Sequence, residues 1–372
     1  MTLPIRCAPI ATLFLLIAGY FAPVHADELS QLLERLKPLS LNESQLRALA
    51  GKEHFQPYVL NPVLAPGLET KDDWDAGAIG SASVIKVGDV FHMYYEAWGK
   101  LNDDGAKHEY DSLQIGHAVS LDGVHWAKDP ANPVLRCGAP GTWDEHGTWD
   151  PFVRYEDGQF KLWYGGNKDD RYEWAYATSD DGSSFEDHGP ISQLGDVEDI
   201  HVARDPKSGD YRMYYWDRSK ASWGKIMDGP PAPSGLFVAR SKNETDFDFK
   251  NAQRLKVADQ IWPSKYSHVM PHGDGWVMFF GEAVLRGNSS FTGIAVSDDG
   301  FSWRKQTFPI VHGHDAEAIE AAPNLWLVYY ASDGYFDWPE ADVRLAIYDG
   351  ALEAVRPIPD RPNSDRNVHA RE

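Results

Sequence analysis

Acidic residues and histidines recur at corresponding points of this 372-residue chain. The clearest stretch is 143–165, in which Trp143-Asp144 and Trp149-Asp150-Pro151 precede two short strands joined by an Asp157-Gly158 turn. This spacing predicts a β-hairpin with carboxylates at its open end. Carboxylates and imidazoles that lie close together can serve as general acids and bases, because their surroundings shift their pKa values.

Weaker copies of this hairpin show that the chain is built from a repeat. The second strand of the hairpin occurs five times, at intervals of roughly fifty to seventy residues. These copies are 91–95, 160–164, 211–215, 276–280 and 325–330. A turn of the form Ser-x-Asp-Gly followed by an aromatic residue recurs near 120–126, 179–185 and 297–303. We assign the turns to structure, because glycine permits positive φ and the Ser and Asp side chains bond the turn backbone.

The repeat predicts an all-β fold, a five-bladed β-propeller with a short N-terminal helical segment. We expect the first strand of the ring, around 58–64, to complete the fifth blade, which is one strand short. The predicted blades are 75–130, 144–190, 198–255, 266–307 and 315–350.

Segments outside the ring have other patterns. Residues 1–26 carry one charge and a short apolar core before Val24-His25-Ala26, which predicts a signal peptide and a periplasmic or extracellular protein. Residues 27–57 have leucines at helical spacing and predict a helical leader. The propeller is expected over 58–357, and the polar tail 358–372 is expected to be disordered.

Composition narrows the choice of partners. With 35 basic and 56 acidic residues the net charge is −21, which argues against a nucleic acid or an anionic membrane and favours a neutral or cationic ligand. Removal of Cys7 with the signal peptide leaves Cys137 alone, so no internal disulfide can form. We expect a monomer that needs no cofactor.

In a propeller the residues that enter the innermost strand of each blade converge on one end of the central channel. Four of the five entries carry carboxylates and three carry histidine, a collection that a purely structural channel has no reason to gather. The candidate residues at these entries are Asp75, Asp144, Asp150, Glu198, His201, His268 and Asp315.

At these positions the sequence resembles the five-bladed propeller glycosidases, the arabinanase and β-xylosidase group called glycoside hydrolase family 43 and its relatives. Asp150-Pro151-Phe152-Val153 is similar to the Asp-Pro-x-Val strand entry of that family. The segment 198–202 resembles the Glu-Gly-Pro-His segment that holds its catalytic acid, which implies that Glu198 is the acid. His268 is similar to a channel histidine that holds a water or a cation, so a cation near His268 is a further expectation.

The sequence departs from the family in blade 1. The resemblance implies an Asp-Pro with the general base there, but the equivalent position is Ser81, and the carboxylate of this blade is Asp75, six residues earlier. In blade 2, Asp144 aligns with Asp75 and Asp150 with Ser81. We therefore predict Asp75 as base and Asp150 as a residue that orients substrate and tunes the acid, with Asp150 as the alternative base.

Aromatic rings stack on sugar faces, and they also pack between blades. Most tryptophans are expected in the core. Trp143 and Trp149 at a strand entry and Trp223 in the insertion 217–233 are predicted to contact substrate, together with Asp144, His201, His268 and Asp315.

The prediction is an exported glycoside hydrolase that uses two carboxylates, one to protonate the leaving oxygen and one on the opposite side of the sugar. Two other functions stay open. A carbohydrate-binding propeller without catalysis is favoured if Ser81 marks a lost base. A mannoside phosphorylase would need a basic phosphate pocket, which Arg204, Lys220 and Arg286 could supply.

Overall fold

The computed structural model confirms the predicted five-bladed β-propeller with helices at its N-terminal side. It describes residues 18–67, 74–99, 113–168, 171–191, 194, 197–217, 235–257, 267–284, 289–332 and 341–358. The predicted signal peptide up to residue 17, most of the insertion 217–233 and the tail beyond residue 358 lie outside these ranges.

Each blade is an antiparallel sheet of four strands, which are consecutive in the sequence in blades I to IV, and one short parallel strand, β14, is added to blade IV. The strands of blades I and II are β2 (Ala78–Val87), β3 (Val90–Trp98), β4 (Gln114–Ser120), β5 (Trp126–Lys128), β6 (Gly147–Glu156), β7 (Gln159–Lys168), β8 (Arg171–Ser179) and β9 (Glu186–Pro190). Those of blades III and IV are β10 (Val197–Arg204), β11 (Tyr211–Asp217), β12 (Leu236–Ser241), β13 (Gln253–Arg254), β14 (Lys256–Val257), β15 (Ser267–His272), β16 (Gly275–Val284), β17 (Ser289–Ser297) and β18 (Ser302–His312).

Blade V closes the ring as predicted. It consists of β19 (His314–Ala322), β20 (Leu325–Ala331), β21 (Val343–Asp349) and the N-terminal strand β1 (Gln56–Pro57). The closing strand lies slightly earlier than the predicted 58–64, because β1 pairs with Ile347 and Ala346, while Leu64 adds an isolated bridge to Val343. The first strands β2, β6, β10, β15 and β19 contact one another in sequence, and β19 returns to β2. These five strands therefore line the channel.

Two helices precede β1. Helix α1 spans Ala18–Leu36 and packs Leu32 and Leu36 against blade I, whereas α2, Glu43–Leu49, inserts Leu46 beside blade V. Two further short helical turns occur at Phe249–Asn251 and Leu352–Ala354. No described helix is both long enough and apolar enough to cross a membrane.

The repeated turns hold neighbouring blades together. In the first turn the Ser120 hydroxyl accepts a hydrogen bond from the Gly123 amide at 2.8 Å. The Gly123 carbonyl accepts one at 2.7 Å from Tyr329 of blade V. Tyr94 donates in the same way to the turn glycine of blade II, and Tyr214 to that of blade IV. Gly123 has φ 74°, and a Cβ there would lie 2.6 Å from Leu327, so the turns are structural, as predicted.

A buried polar chain joins blades I and II away from the channel. His117 Nδ1 lies 2.7 Å from Asp129 Oδ2, and His117 Nε2 lies 3.0 Å from His92 Nδ1. The Ser183 hydroxyl donates to the same Asp129 oxygen at 2.6 Å. Because Asp129 stands between the serine and the imidazole, this chain is not a Ser-His-Asp nucleophile. Burial opposes ionisation, but the bonds from His117 and Ser183 outweigh it and lower the pKa of Asp129 to about 2.

This chain predicts sensitivity to acid. Burial and the neighbouring His117 lower the pKa of His92 from 6.5 to about 3. The unfolded chain therefore takes up a proton near pH 6.5 that the folded chain accepts only near 3, so the free energy of unfolding falls as the pH decreases between these values. Denaturant titrations at neutral and mildly acidic pH should show that His92→Gln removes on the order of 2 kcal/mol of this decrease. An equal decrease in wild type and variant would contradict the assignment.

Candidate active site

The innermost strands share a local irregularity at the channel mouth. In each of β2, β6, β10 and β19 the pairing register with the second strand of the blade shifts across two consecutive residues. Such β-bulges bend the strand and redirect its side chains, and they are common next to active sites. The residues at these bulges are Gly80-Ser81, Asp150-Pro151, Asp199-Ile200 and Asp315-Ala316.

Three of these bulges begin with an aspartate in the left-handed region. The φ angles of Asp150, Asp199 and Asp315 are 49°, 53° and 50°. Aspartate tolerates this conformation better than most residues, because its short side chain can bond locally. Three blades therefore carry a carboxylate in the same place and with the same backbone conformation, which is the convergence that the repeat predicted.

The three aspartates line one cleft that is open to solvent at the end of the channel. The lining consists of Ser81, Ala82, Asp150, Pro151, Phe152, Asp199, Ile200, His201, His268, Asp315, Ala316 and Glu317.

Glu317 is the carboxyl group of the cleft with the most perturbed pKa. Burial, and secondarily the charge of Asp150, raise the pKa of Glu317 from 4.5 to about 8, although a hydrogen bond from Ser83 at 3.2 Å opposes the shift. Its side chain is protonated at neutral pH. The cleft therefore combines a carboxylic acid with three aspartates, the combination that acid–base chemistry on a polar bond requires.

The two histidines of the cleft are neutral. Burial lowers the pKa of His268 to about 3 with a contribution from Arg154, and burial beside His268 lowers that of His201 well below 6.5. Nδ1 of His268 accepts a hydrogen bond from the Ala318 amide at 2.9 Å, so the neutral ring carries its proton on Nε2.

The two histidines and Glu317 offer an incomplete set of ligands for a metal ion. Ligand atoms of His201, His268 and Glu317 lie within 4.8 Å of one another. Nδ1 of His268 is already used by the Ala318 amide, and its protonated Nε2 has no free lone pair. Only His201 and Glu317 then remain within this described group, fewer than the four ligands of an ordinary structural zinc site. The expected cation near His268 therefore finds an incomplete set of ligands.

Hydrogen bonds between blades position the cleft residues. The Asp150 amide donates to Glu96 Oε2 at 2.8 Å, and the Asp199 amide donates to Asp150 Oδ2 at 3.2 Å. On the other side of blade I, the Ser81 hydroxyl donates to Asp315 Oδ2 at 3.1 Å. Asp150 therefore holds the backbone of its neighbour in blade III as well as lining the cleft, and Asp315 holds the side chain of Ser81.

Of the three predicted catalytic residues, only one lines the cleft. Asp150 lines the cleft. Asp75 does not, because its carboxylate is buried against Lys128 of the outermost strand of blade I, with Oδ2 2.5 Å from Nζ. Glu198 is buried one residue before the blade III bulge and does not line the cleft, whereas the adjacent Asp199 does. The carboxylates brought together are thus Asp150, Asp199, Asp315 and Glu317.

Of the residues predicted to bind substrate, some line the cleft and others do not. His201, His268 and Asp315 line the cleft. Asp144 does not, since its carboxylate accepts a hydrogen bond from the Thr142 hydroxyl at 2.7 Å within the preceding loop. Trp143 and Trp149 pack inside blade II against Tyr164 and Trp174, and Trp223 lies outside the described residues.

The side chains proposed for a phosphate pocket are not in the described lining. Arg204 bonds the Gly209 carbonyl at 3.1 Å and covers the Tyr211 ring on the far end of its strand. Lys220 and Arg286 lie outside the described residues. Among the residues that the structure describes, the ionisable side chains that line the cleft are acids and histidines, with no lysine or arginine.

Asp75→Asn tests whether Asp75 takes part in catalysis. The change should leave kcat within about threefold of wild type, because the side chain does not reach the cleft, and should lower stability by about 1 kcal/mol through loss of the Lys128 ion pair. Steady-state kinetics and thermal unfolding measure the two effects. A large loss of kcat in a protein of normal stability would return Asp75 to the catalytic machinery.

Sequence reasoning missed Glu317, Glu96 and Asp199. Glu317 stood in a run of three acids, 315–320, that offered no way to choose. Asp199 was hidden by the family-like placement of its neighbour Glu198. The available signal was the repeat itself, because Asp150, Asp199 and Asp315 each begin the same two-residue bulge.

Comparisons with known proteins agree with this architecture. The β-1,2-mannobiose phosphorylase of Listeria innocua, solved with β-1,2-mannobiose, superposes with TM-score 0.59 at 16% identity, covering 79% of this chain and 96% of that one. The GH43_1 enzyme of Xanthomonas citri, solved with xylotriose, superposes with TM-score 0.56 at 16% identity over 84% and 99% of the two chains. This chain has the fold of the five-bladed propeller glycoside hydrolases.

A comparison of sequences also finds similarity to a β-1,2-mannobiose phosphorylase, over a shorter stretch. The β-1,2-mannobiose phosphorylase of Thermoanaerobacter is 31% identical over 109 residues, which are 28% of this chain and 34% of that enzyme. The match thus spans about a third of the length of that curated relative. No protein-family model matches the chain.

Proposed function

We propose that this protein is a glycoside hydrolase acting on an oligo- or polysaccharide of neutral sugars. The observation that carries the proposal is the cleft in which the protonated Glu317 faces Asp150, Asp199 and Asp315. Cleavage of a glycosidic bond needs one carboxylic acid and one carboxylate on opposite sides of the sugar. The acidic channel mouth and the net charge of −21 disfavour anionic glycans.

In the proposed mechanism Glu317 protonates the leaving oxygen. Burial keeps its carboxyl neutral near pH 7, so it holds a proton that it can deliver as the bond breaks. Asp150 is the carboxylate partner, because it belongs to a different blade and its charge is felt at Glu317. Asp150 either takes a proton from the water that attacks the anomeric carbon, or attacks that carbon itself and is later released by water. Asp199 and Asp315 accept hydrogen bonds from sugar hydroxyls.

The second candidate function is phosphorolysis, which the sequence match to a β-1,2-mannobiose phosphorylase favours. It requires cations that bind phosphate, and the described lining contains none. We therefore place hydrolysis first. Phosphate as co-substrate would have to be held by residues outside the described ranges, such as Lys220 and Arg286.

The test is a screen of the purified protein against pyranoside and furanoside substrates, including β-1,2-mannobiose and xylotriose, with and without inorganic phosphate. Release of reducing sugar that does not depend on phosphate supports the proposal. Turnover only with phosphate favours the phosphorylase, and saturable sugar binding without turnover favours a binding module. Glu317→Gln and Asp75→Asn beside wild type show whether the activity belongs to this cleft.

We also propose that the mature protein acts outside the cytoplasm. The support is the sequence of residues 1–26, with a single charge, an apolar core and small residues before the expected cleavage point. Expression of the full chain in a Gram-negative bacterium should yield a periplasmic product, and mass spectrometry should show that it begins near Asp27. A cytoplasmic product with an intact N-terminus would contradict export.

A further inference from the structure

Blade I differs from its neighbours at the bulge. Blades II, III and V begin the bulge with Asp150, Asp199 and Asp315, whereas the blade I bulge begins at Gly80, one residue before Ser81, the residue that aligns with Asp150. The φ angle of Gly80 is not in the left-handed region, so backbone conformation does not explain the glycine. Blade I thus lacks a carboxylate on its innermost strand where three other blades have one.

The space beside Gly80 is filled by a carboxylate from the second strand of the same blade. A Cβ at Gly80 would lie 2.3 Å from Glu96 Oε1 and 3.1 Å from Glu96 Cδ and Cγ. Real Cβ atoms do not approach other atoms so closely, so a side chain at position 80 and Glu96 in its present place exclude each other. Glu96 is only 7% exposed and belongs to β3.

Glu96 also begins a chain of hydrogen bonds across three blades. Its Oε2 accepts from the Asp150 amide at 2.8 Å, and the Asp150 carboxylate accepts from the Asp199 amide at 3.2 Å. Both donors are amides of bulge residues with positive φ. A carboxylate that receives such an amide fixes the backbone from which a cleft carboxylate projects.

We infer that Glu96 is a positioning residue of the cleft, supplied by the second strand of blade I in place of a bulge aspartate, and that Gly80 is glycine in order to admit it. The role of Glu96 is to hold the backbone of Asp150, and through Asp150 that of Asp199. The inference rests on the proposed function only where it concerns catalysis, because the hydrogen bonds can be tested without a substrate.

The first test compares Glu96→Ala, which removes the acceptor, with Glu96→Gln, which keeps a carbonyl acceptor and removes the charge. Amide hydrogen exchange of protein carrying isotope-labelled aspartate should show the Asp150 amide exchanging at least about tenfold faster in Glu96→Ala and near the wild-type rate in Glu96→Gln. Glu320→Ala is the matched control, because Glu320 also accepts a backbone amide, that of Asn324 at 2.7 Å, away from the cleft. Unchanged protection of Asp150 in Glu96→Ala would overturn the inference.

The second test uses kinetics on whichever glycoside the wild type cleaves. Glu96→Ala should lower kcat by about 10- to 100-fold with little change in KM, since misplacement of a reacting group slows chemistry more than binding. Glu96→Gln should recover kcat to within a few fold. Equal losses in both variants would overturn the positioning role, because the charge itself would then be required. If wild type has no activity, the proposed function fails and the exchange experiment still decides the role of Glu96.

The third test exchanges the two positions. Gly80→Asp alone should lower the unfolding temperature, because its Cβ collides with Glu96. In Gly80→Asp combined with Glu96→Ala this collision is removed, so the double variant should unfold at a higher temperature than Gly80→Asp alone. Such a rescue is a coupling between two positions in contact. Additive losses in the double variant would show that Gly80 does not exist to admit Glu96.

Discussion

Replacement of Glu317 by glutamine is expected to lower kcat by about 10²- to 10⁴-fold, the usual contribution of a positioned general acid. Glutamine keeps the size of the side chain and cannot deliver a proton. Because the pKa of Glu317 is about 8, the wild-type rate should be highest below this pH and decline as the pH rises through it. The residual rate of Glu317→Gln should lack this alkaline decline. Steady-state rates across neutral and alkaline pH measure both effects.

Glu317→Gln should raise the stability of the protein at alkaline pH while it lowers kcat, so a loss of activity through misfolding can be distinguished from a loss of catalysis. The folded pKa of Glu317 is raised above 4.5, so the stability that its protonation contributes is complete below 4.5 and is lost as the pH rises through about 8. Glu317→Gln should therefore be more stable than wild type at alkaline pH. Glu320→Gln, on the same strand, is the control and should keep wild-type kcat. A stable Glu317→Gln enzyme with full activity would remove Glu317 from the mechanism.

Asp150→Asn should lower kcat by a similar factor, about 10²- to 10⁴-fold, because the negative charge beside the reacting carbon is lost. Asparagine tolerates positive φ, and its carbonyl can still accept the Asp199 amide, so the fold should be preserved. Since the charge of Asp150 raises the pKa of Glu317, the alkaline decline of the residual rate should move to lower pH. Kinetics over the same pH range detect both changes.

The matched control for Asp150 is Asp157→Asn. Asp157 lies at the other end of the same hairpin with φ 55°, and its side chain is 80% exposed. It therefore tests the cost of the same substitution in the same backbone conformation without the cleft. Equal losses of kcat in the two variants, or an unchanged alkaline decline in Asp150→Asn, would contradict the role of Asp150.

The fold could be predicted because its signals are local and repeated. The strand that occurs five times and the Ser-x-Asp-Gly turn each appear several times in the sequence, and each copy supports the others. Ring closure followed from the missing strand of the last blade, and the structure shows β1 in that position. Its exact residues could not be predicted, because a two-residue strand carries no periodicity.

The site was predicted less completely, because its geometry depends on register. A two-residue bulge decides whether Glu198 or Asp199 faces the cleft, and alternation along the strand gives no sign of it. Asp75 and Asp144 align with each other, as predicted, but they contact Lys128 and Thr142 instead of the cleft. The pairing of Gly80 with Glu96 is a contact between strands, and it becomes visible only when both are in place.

The most direct test of the central claim is hydrolysis in water labelled with heavy oxygen, in the presence of inorganic phosphate. If the cleft uses Glu317 and Asp150 to cleave glycosidic bonds with water, the released sugar should carry the heavy oxygen at its anomeric carbon, and Glu317→Gln should form the labelled product far more slowly. A product released as a sugar phosphate without the label, or labelled product formed equally by Glu317→Gln, would contradict this account.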